Sequence, residues 1–231
     1  NDVVIVSRID RMMSKDGGKV SALTINWELR AAGTTYDIAG AVQMDKVQTS
    51  DVAGVVSSHE GFGSGAFASR GLDADSPCAV IPFFNRTEEL LSASNTWKGQ
   101  PAAAIRKHTT TVTFSQPVDI ASVLDSEMNF FIAPKQRTSE IHMPGYAPTA
   151  SGIIGKGSFL PSDPYKFFVT EGDQAKNNYM MWALMIPGEF RYPAETNDIR
   201  GVYEYFMAWA SSNGAEHAEW YLESADAGRI Y

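Results

Sequence analysis

The clearest regular pattern in the sequence is an alternation of apolar and polar residues over 21–30. This period of two buries one face of a β-strand and leaves the other face to water. An apolar stretch at 3–8 precedes it, and the sequence Lys-Asp-Gly-Gly at 15–18 lies between the two. Glycine accepts the positive φ angles of tight hairpin turns. The pattern therefore predicts a long antiparallel hairpin whose inward face carries Leu23, Ile25, Trp27 and Leu29.

Six further segments have the length and the β-branched or aromatic content of strands. They are 38–44, 78–84, 108–114, 128–133, 165–170 and 179–186. Together with the hairpin they predict a mainly β protein, an antiparallel β-sandwich of jelly-roll-like type. Three long stretches rich in glycine and proline interrupt the pattern, at 57–75, 95–104 and 144–164. Connections of this length commonly carry binding sites.

The hydrophobic period changes near the C-terminus. From Asp198 onward the apolar residues have the spacing of one face of an α-helix of about three to four turns. Asp198 can cap this helix and Asn213-Gly214 can end it, while 218–224 can add a short helical turn. We expect one helix packed on the flank of the sandwich, within a single domain over residues 1–231. Its buried face is predicted to carry Ile199, Val202, Tyr203, Phe206 and Ala210.

Composition and charge exclude several classes of protein. The 231 residues are 44% hydrophobic and 20% charged, which suits a folded domain with a sizeable core. Nineteen basic and twenty-seven acidic residues give a net charge of −8, which disfavours nucleic acid as a partner. The single cysteine, Cys78, lies in an apolar run and is expected to pack as a small hydrophobe. The chain opens on Asn1 with no signal peptide, so we expect its natural beginning to lie upstream.

Three segments carry a resemblance to a known family. They are EIHMPGYAPT at 140–149, WALMIPGEFRYPAE at 182–195, and YEYFMAW at 203–209 with the Trp-Tyr pair at 220–221. These segments resemble the LruC domain family of bacterial secreted or lipid-anchored envelope proteins. The opening Asn1-Asp2-Val3-Val4 is similar to the end of an acidic motif in that family. The resemblance runs from residue 1 to about residue 222.

The resemblance implies a location more than a chemistry. It implies a cell-envelope or extracellular protein, peripheral to the membrane and held there by a lipid anchor upstream of this sequence. It carries no catalytic activity over to this chain, and we expect no catalytic residues. The aspartates that precede Asn1-Asp2 in the family motif are missing, so an ion site built by them is incomplete here.

Acidic residues give two candidate positions for a metal ion. Asp73 and Asp75 are two residues apart in a predicted loop, and calcium binds such carboxylates together with backbone carbonyls. A solvated acidic loop explains the same pair without an ion. Asn1 and Asp2 are the second position, through the resemblance to an acid-rich motif. Calcium is the one cofactor that the sequence suggests.

The most useful candidates for ligand binding are aromatic. Trp97 follows a threonine and precedes Lys98-Gly99 in a polar loop, where no alternation assigns it to the core. An exposed indole can stack on a sugar ring or anchor a partner protein, whereas burial under its own loop is the structural alternative. Tyr146, in the turn between two prolines, is the second candidate.

Several other motifs have structural explanations. The four histidines lack the spacing of zinc sites, and His59 has no serine elbow beside it that would indicate a hydrolase. The sequence GFGSG at 61–65 lacks the lysine and following helix of a phosphate-binding loop, and it is predicted to be a flexible loop. Pro187 and Pro193 bracket a segment that we expect to dock the C-terminal helix.

The sequence favours a non-catalytic domain that recognises an extracellular glycan or surface protein through its end loops. Two alternatives stay open. A hydrolase of surface polysaccharide would need two carboxyl groups about 5 Å apart in a cleft if it retains configuration. A structural module would pair an exposed sheet edge with another chain.

Overall fold

The computed structural model describes residues 3–15, 17–143, 145–152, 183–212 and 214–231. In these residues the chain forms eight β-strands and two short α-helices. The strands are β1 (Val4–Met13), β2 (Lys19–Ala31), β3 (Ile38–Gln48), β4 (Val52–Ser57), β5 (Cys78–Phe84), β6 (His108–Asp119), β7 (Met128–Pro134) and β8 (Ile141–His142). The helices are α1 (Ile199–Val202) and α2 (Phe206–Ser211).

The strands form two antiparallel sheets, which confirms the predicted β-sandwich. One sheet has the order β1-β2-β6-β4 and the other has the order β5-β3-β7-β8. The predicted hairpin is β1 paired with β2, and Ile9 lies opposite Ile25. Gly17 and Gly18 in its turn have φ angles of 68° and 72°, which non-glycine residues rarely adopt.

The core lies between the sheets and uses the inward side chains of both. Because side chains alternate along a strand, every second residue of β2 reaches this core. Large contributions come from Leu23, Ile25, Trp27, Val42, Met44, Ile81, Phe83, Val112 and Phe114. The second sheet is also covered on its outer face, where small residues of β3 and β7 pack against Phe67 of the 58–77 loop.

The sandwich has two ends that matter for the site. At one end β2, β4, β5 and β7 finish while β3 and β6 begin, and the 85–107 loop lies there. We call this the 85–107 end. The β1–β2 turn and residues 120–127, between β6 and β7, lie at the opposite end.

The C-terminal helix is interrupted, which corrects the predicted single helix of three to four turns. Asp198 does cap α1 by accepting the Arg200 N–H, but Tyr203 adopts an extended conformation and forms a β-bridge with Ala225. This bridge takes up backbone groups that a continuous helix would use. The predicted apolar face is nevertheless buried at Val202, Tyr203, Phe206 and Ala210, together with Trp220 and Ile230.

Two other predicted elements have different outcomes. The predicted strand 165–170 lies outside the described residues, and of 179–186 only 183–186 are described, where no strand forms. A 3-10 turn at Trp220–Leu222 agrees with the short helical turn predicted there. Among the described residues, no helix has the length and apolar character needed to cross a membrane.

Candidate functional site

Trp97 lies in the loop that joins β5 to β6, at the 85–107 end of the sandwich. Its indole is 46% exposed, so the alternative in which the loop buries it is wrong. Its neighbour Thr96 is fully buried, and the chain therefore turns outward at Trp97 itself. An apolar ring of this size held in water is available for stacking on a ligand.

Asn95 fixes the base of this loop. Its φ angle is 55°, a left-handed conformation that asparagine tolerates better than most residues. Its side-chain oxygen accepts the Ala103 N–H at 2.6 Å, and its amide nitrogen donates to the carbonyls of Ala103 and Arg30 at 3.2 and 3.0 Å. Because Ala103 and Arg30 are tied to one side chain, Trp97 is presented from a fixed support.

The C-terminal part, meaning residues 183–212 and 214–231, contacts the same loop. The Glu195 N–H donates to the Thr96 carbonyl at 2.8 Å, and the Tyr192 hydroxyl donates to the Asn95 carbonyl at 2.8 Å. Burial raises the pKa of Tyr192 to about 12. Lys98 Nζ donates to the carbonyls of Ala227 and Gly228. Trp97 is therefore flanked by contacts between the sandwich and the C-terminal part.

Tyr146 lies at the opposite end of the sandwich. It is partly buried, and its hydroxyl donates to the Ser126 carbonyl at 2.9 Å, just before β7 begins. Burial, together with the negative charges of Asp45 and Glu127, raises its pKa. The two aromatic candidates therefore do not share one site.

Within the described residues, the candidate metal ligands do not form one site. The Asp73 carboxylate forms an ion pair with Arg137 at 3.1 Å, while Asp75 is exposed. Asn1 and Asp2 lie outside the described residues. Within the described part of the chain, no group of three or more histidine, cysteine or acidic residues has the arrangement of a metal site. Calcium binding stays a prediction.

Sequence reasoning missed a buried polar network next to β8. Glu140 is 1% exposed, and its carboxylate accepts the backbone N–H of Thr149 at 2.8 Å and the hydroxyl of Thr149 at 2.5 Å. It also contacts Arg137 and lies 2.8 Å from His142 Nε2. His142 Nδ1 in turn lies 2.7 Å from Asn129 Oδ1.

This network explains the segment 140–149. Burial opposes the charge on Glu140, but the hydrogen bonds from His142 and Thr149 and the charges of His142 and Arg137 outweigh it and hold the pKa below its ordinary value. Glu140, His142 and Thr149 of this segment are thus engaged with one another instead of being free for a ligand. The signal in the sequence was a glutamate directly before the apolar Ile141 and a histidine directly after it.

The motif between Pro187 and Pro193 contacts the C-terminal helices, as the sequence predicted. Phe190 stacks on Tyr203 with 5.5 Å between ring centroids, and the Tyr203 hydroxyl donates to the Arg191 carbonyl at 2.6 Å. Its role among the described residues is therefore packing.

The glycine-rich loop 61–65 is held more firmly than the sequence suggested. The Asn85 side chain donates to the carbonyls of Gly63 and Phe67, both at 2.8 Å, and accepts the Phe67 N–H at 2.9 Å. A Cβ at Gly65 would lie 2.8 Å from Asn85 Cγ, so glycine allows this close approach. The loop lies against Asn85 instead of forming a cradle for phosphate.

Comparison with known proteins gives a family and a related fold. Residues 18–221 match the domain of unknown function DUF4842, and the chain belongs to this family. The fold is similar to the crystal structure of a "Putative lipoprotein from Bacteroides ovatus", with a TM-score of 0.68 and 16% sequence identity. That similarity covers 100% of this chain and 69% of the other. A search of curated proteins finds no match. These findings do not confirm the resemblance to the LruC domain family.

Proposed function

We propose that this domain is a non-catalytic recognition module of the bacterial cell envelope, which binds an extracellular glycan through the exposed Trp97 ring. The observation that carries the proposal is an indole 46% exposed on a loop whose base is fixed by a buried asparagine. A sugar can stack its apolar face on the flat indole ring. Because the Trp97 loop is already fixed, the ring loses little conformational entropy on binding.

The pairing of two enclosed carboxylates with an arginine supports binding more than catalysis. A glycoside hydrolase needs two carboxyl groups in a cleft, one of them ready to give a proton. The carboxylates of buried Glu140 and partly buried Asp73 are instead both paired with Arg137. At the base of the Trp97 loop, Asn95 and Lys98 donate to backbone carbonyls. The proposed role is accordingly to hold a ligand.

The proposed location rests on the fold comparison and on the resemblance. The protein of similar fold is described as a lipoprotein, which supports an envelope location for this chain. The resemblance to secreted or lipid-anchored proteins supports the same location. An envelope protein meets surface polysaccharides and surface proteins, which are the two classes of partner that an exposed indole suits.

The test is a glycan array followed by titration of each hit with the wild-type protein and Trp97→Ala. Loss of a central aromatic anchor typically costs about 2 kcal/mol or more, so the Kd of a hit should rise by about thirtyfold. Trp97→Phe should retain part of the affinity because it keeps a smaller ring. Met12→Ala, at an exposed position in β1 near the opposite end, is the control and should bind as the wild type does.

An array without hits, or hits that Trp97→Ala binds equally well, would contradict the proposal. If the wild type captures a surface protein and Trp97→Ala does not, Trp97 is a binding residue but its ligand is a protein, and the glycan part of the proposal is wrong.

A further inference from the structure

A second group of polar side chains is buried at the 85–107 end of the sandwich, and the proposed function does not use it. His59 follows β4, His108 begins β6, and Glu89 belongs to the loop between β5 and β6. His59 is 6% exposed, and its ring centroid lies 5.0 Å from that of His108. The Trp27 indole contacts both rings, stacked on His108 at 4.7 Å and edge-on to His59 at 6.0 Å.

Three atoms of this group lack a hydrogen-bond partner within the described residues. They are His59 Nε2, His108 Nε2 and Glu89 Oε2. Buried polar atoms are nearly always paired, so three orphaned atoms in one group are unusual. His59 Nε2 and Glu89 Oε2 are 3.6 Å apart, which is too far for a good hydrogen bond and close enough for an ion pair.

The group also fastens the 58–67 loop to the rest of the domain. Glu89 Oε1 accepts the Gly63 N–H at 2.7 Å, and the Arg70 guanidinium donates to the His59 carbonyl at 3.0 Å. A Cβ at Gly61 would lie 3.2 Å from His59 Cε1, so the loop backbone packs closely on the imidazole. The His59 ring is therefore almost closed off from water while this loop stays in place.

The charged groups near the two imidazoles shift the pKa of these rings in opposite directions. Burial is the main influence and lowers the pKa of both His59 and His108. Glu89 favours a proton on His59, while Arg70 disfavours it. His59 and Arg106 both disfavour a proton on His108. Within the described residues, no carboxylate is among the groups that shift the pKa of His108. The closed arrangement therefore favours neutral rings.

We infer that His59, His108 and Glu89 form an acid-operated latch, in which protonation of the two imidazoles releases the 58–67 loop from the 85–89 segment. An open loop exposes His59 to water and moves it away from His108, so both rings accept a proton more readily. Acid consequently shifts the population toward the open loop. The equilibrium constant for loop opening can rise by at most about tenfold for each unit by which the pH falls and for each proton taken up. This inference does not depend on glycan binding.

The test is hydrogen exchange of the backbone amides of Gly63 and Phe67, expressed as protection factors so that the pH dependence of intrinsic exchange is removed. These amides are bonded to Glu89 and Asn85, and they report whether the loop is closed. In the wild type we expect their protection to fall severalfold between pH 7.5 and pH 5.5, about one unit on either side of the ordinary histidine pKa. Amides of β3 should keep their protection, because the core stays folded.

Variants separate the latch from a general effect of acid. His59→Gln with His108→Gln should remove most of the pH dependence, whereas His217→Gln, an exposed histidine in the C-terminal part, should leave it unchanged. Glu89→Gln keeps an acceptor for the Gly63 N–H but removes the charge that supports protonated His59. Its loop should therefore open at a higher pH than in the wild type.

Equal protection of Gly63 and Phe67 at both pH values in the wild type would overturn the latch. So would an undiminished acid response in the double histidine variant. Should the double variant be too unstable to study, each single glutamine variant should still reduce the dependence on pH by about one linked proton. No reduction in either would overturn the inference as well.

Discussion

At the scale of single residues, buried polar side chains explain more of the loop structure of this domain than exposed polar side chains do. Asn85, Asn95 and Glu140 are each almost fully buried, and each bonds to backbone groups at least eight positions away in the sequence. A buried polar group is costly unless it is fully paired, so these side chains fix one loop arrangement over others. None of the three was identified as structural from the sequence, because hydrogen-bond partners that many positions away are invisible in a linear pattern.

The first prediction concerns the charge of Glu140. Glu140→Ala should lower the free energy of unfolding by about 3–5 kcal/mol, because it leaves the Arg137 guanidinium and the Thr149 N–H without their buried partner. Glu223→Ala removes an exposed carboxylate 3.4 Å from His217 and should cost no more than about 1 kcal/mol. Urea unfolding, with an unchanged m-value, measures both. Equal costs for the two variants would refute the network as a source of stability.

The second prediction concerns pH. The pKa of Glu140 in the folded chain lies below its ordinary value of 4.5, so the folded state holds this proton less tightly than the unfolded state. The resulting stability is fully present above about pH 4.5 and is lost as the pH falls toward the folded pKa. Glu140→Gln should therefore show a shallower loss of stability below pH 4.5 than the wild type, measured by urea unfolding at each pH. A parallel loss in both proteins would contradict the lowered pKa.

At the scale of elements, apolar patterns predicted which faces are buried better than they predicted where elements end. The strand 78–84 has the predicted bounds, and β2, β3, β6 and β7 begin within two residues of their predictions. β4 was missed because Gly54 and the exposed Val56 break the pattern of an edge strand. The C-terminal helix had the right buried face but is interrupted at Tyr203, since pairing with 224–226 competes with helical hydrogen bonds.

The third prediction concerns the approach of β3 to β5. Gly40 lies opposite Phe84, and a Cβ there would lie 2.6 Å from the Phe84 ring, which is fully buried and has no room to move. Gly40→Ala should cost about 1–3 kcal/mol of unfolding free energy through overpacking. Gly54→Ala in β4 meets no atom within 4 Å and is the matched control. Thermal unfolding compares them, and a neutral Gly40→Ala would show that the strands can move apart.

At the scale of the whole molecule, the C-terminal part has its own apolar cluster but is tied to the sandwich through the loop that carries Trp97. The cluster is centred on Tyr203, Phe206 and Trp220. The ties are hydrogen bonds from Tyr192, Glu195 and Lys98. A ligand held by Trp97 would therefore lie beside both parts of the chain.

The fourth prediction concerns this connection. Tyr192→Phe removes the hydroxyl that donates to the Asn95 carbonyl in a buried position, and should cost about 1–3 kcal/mol of unfolding free energy. Because the bond links both parts of the chain, the loss should appear as a lower Tm of one cooperative transition. Tyr205→Phe, on a ring that stacks on exposed His217, is the control and should change little. Two separate transitions in the wild type would contradict the linkage.

The linear order of residues was sufficient for the two-sheet architecture, the hairpin turn and the buried face of the C-terminal segment, because each depends on a local period or on turn chemistry. It also singled out Trp97 as a residue without a place in the core. The fixed base of that loop, the Glu140 network and the histidine group at His59 arise where distant segments meet. Their partners are between eight and about a hundred positions apart in the chain, and only folding brings their polar atoms within bonding distance.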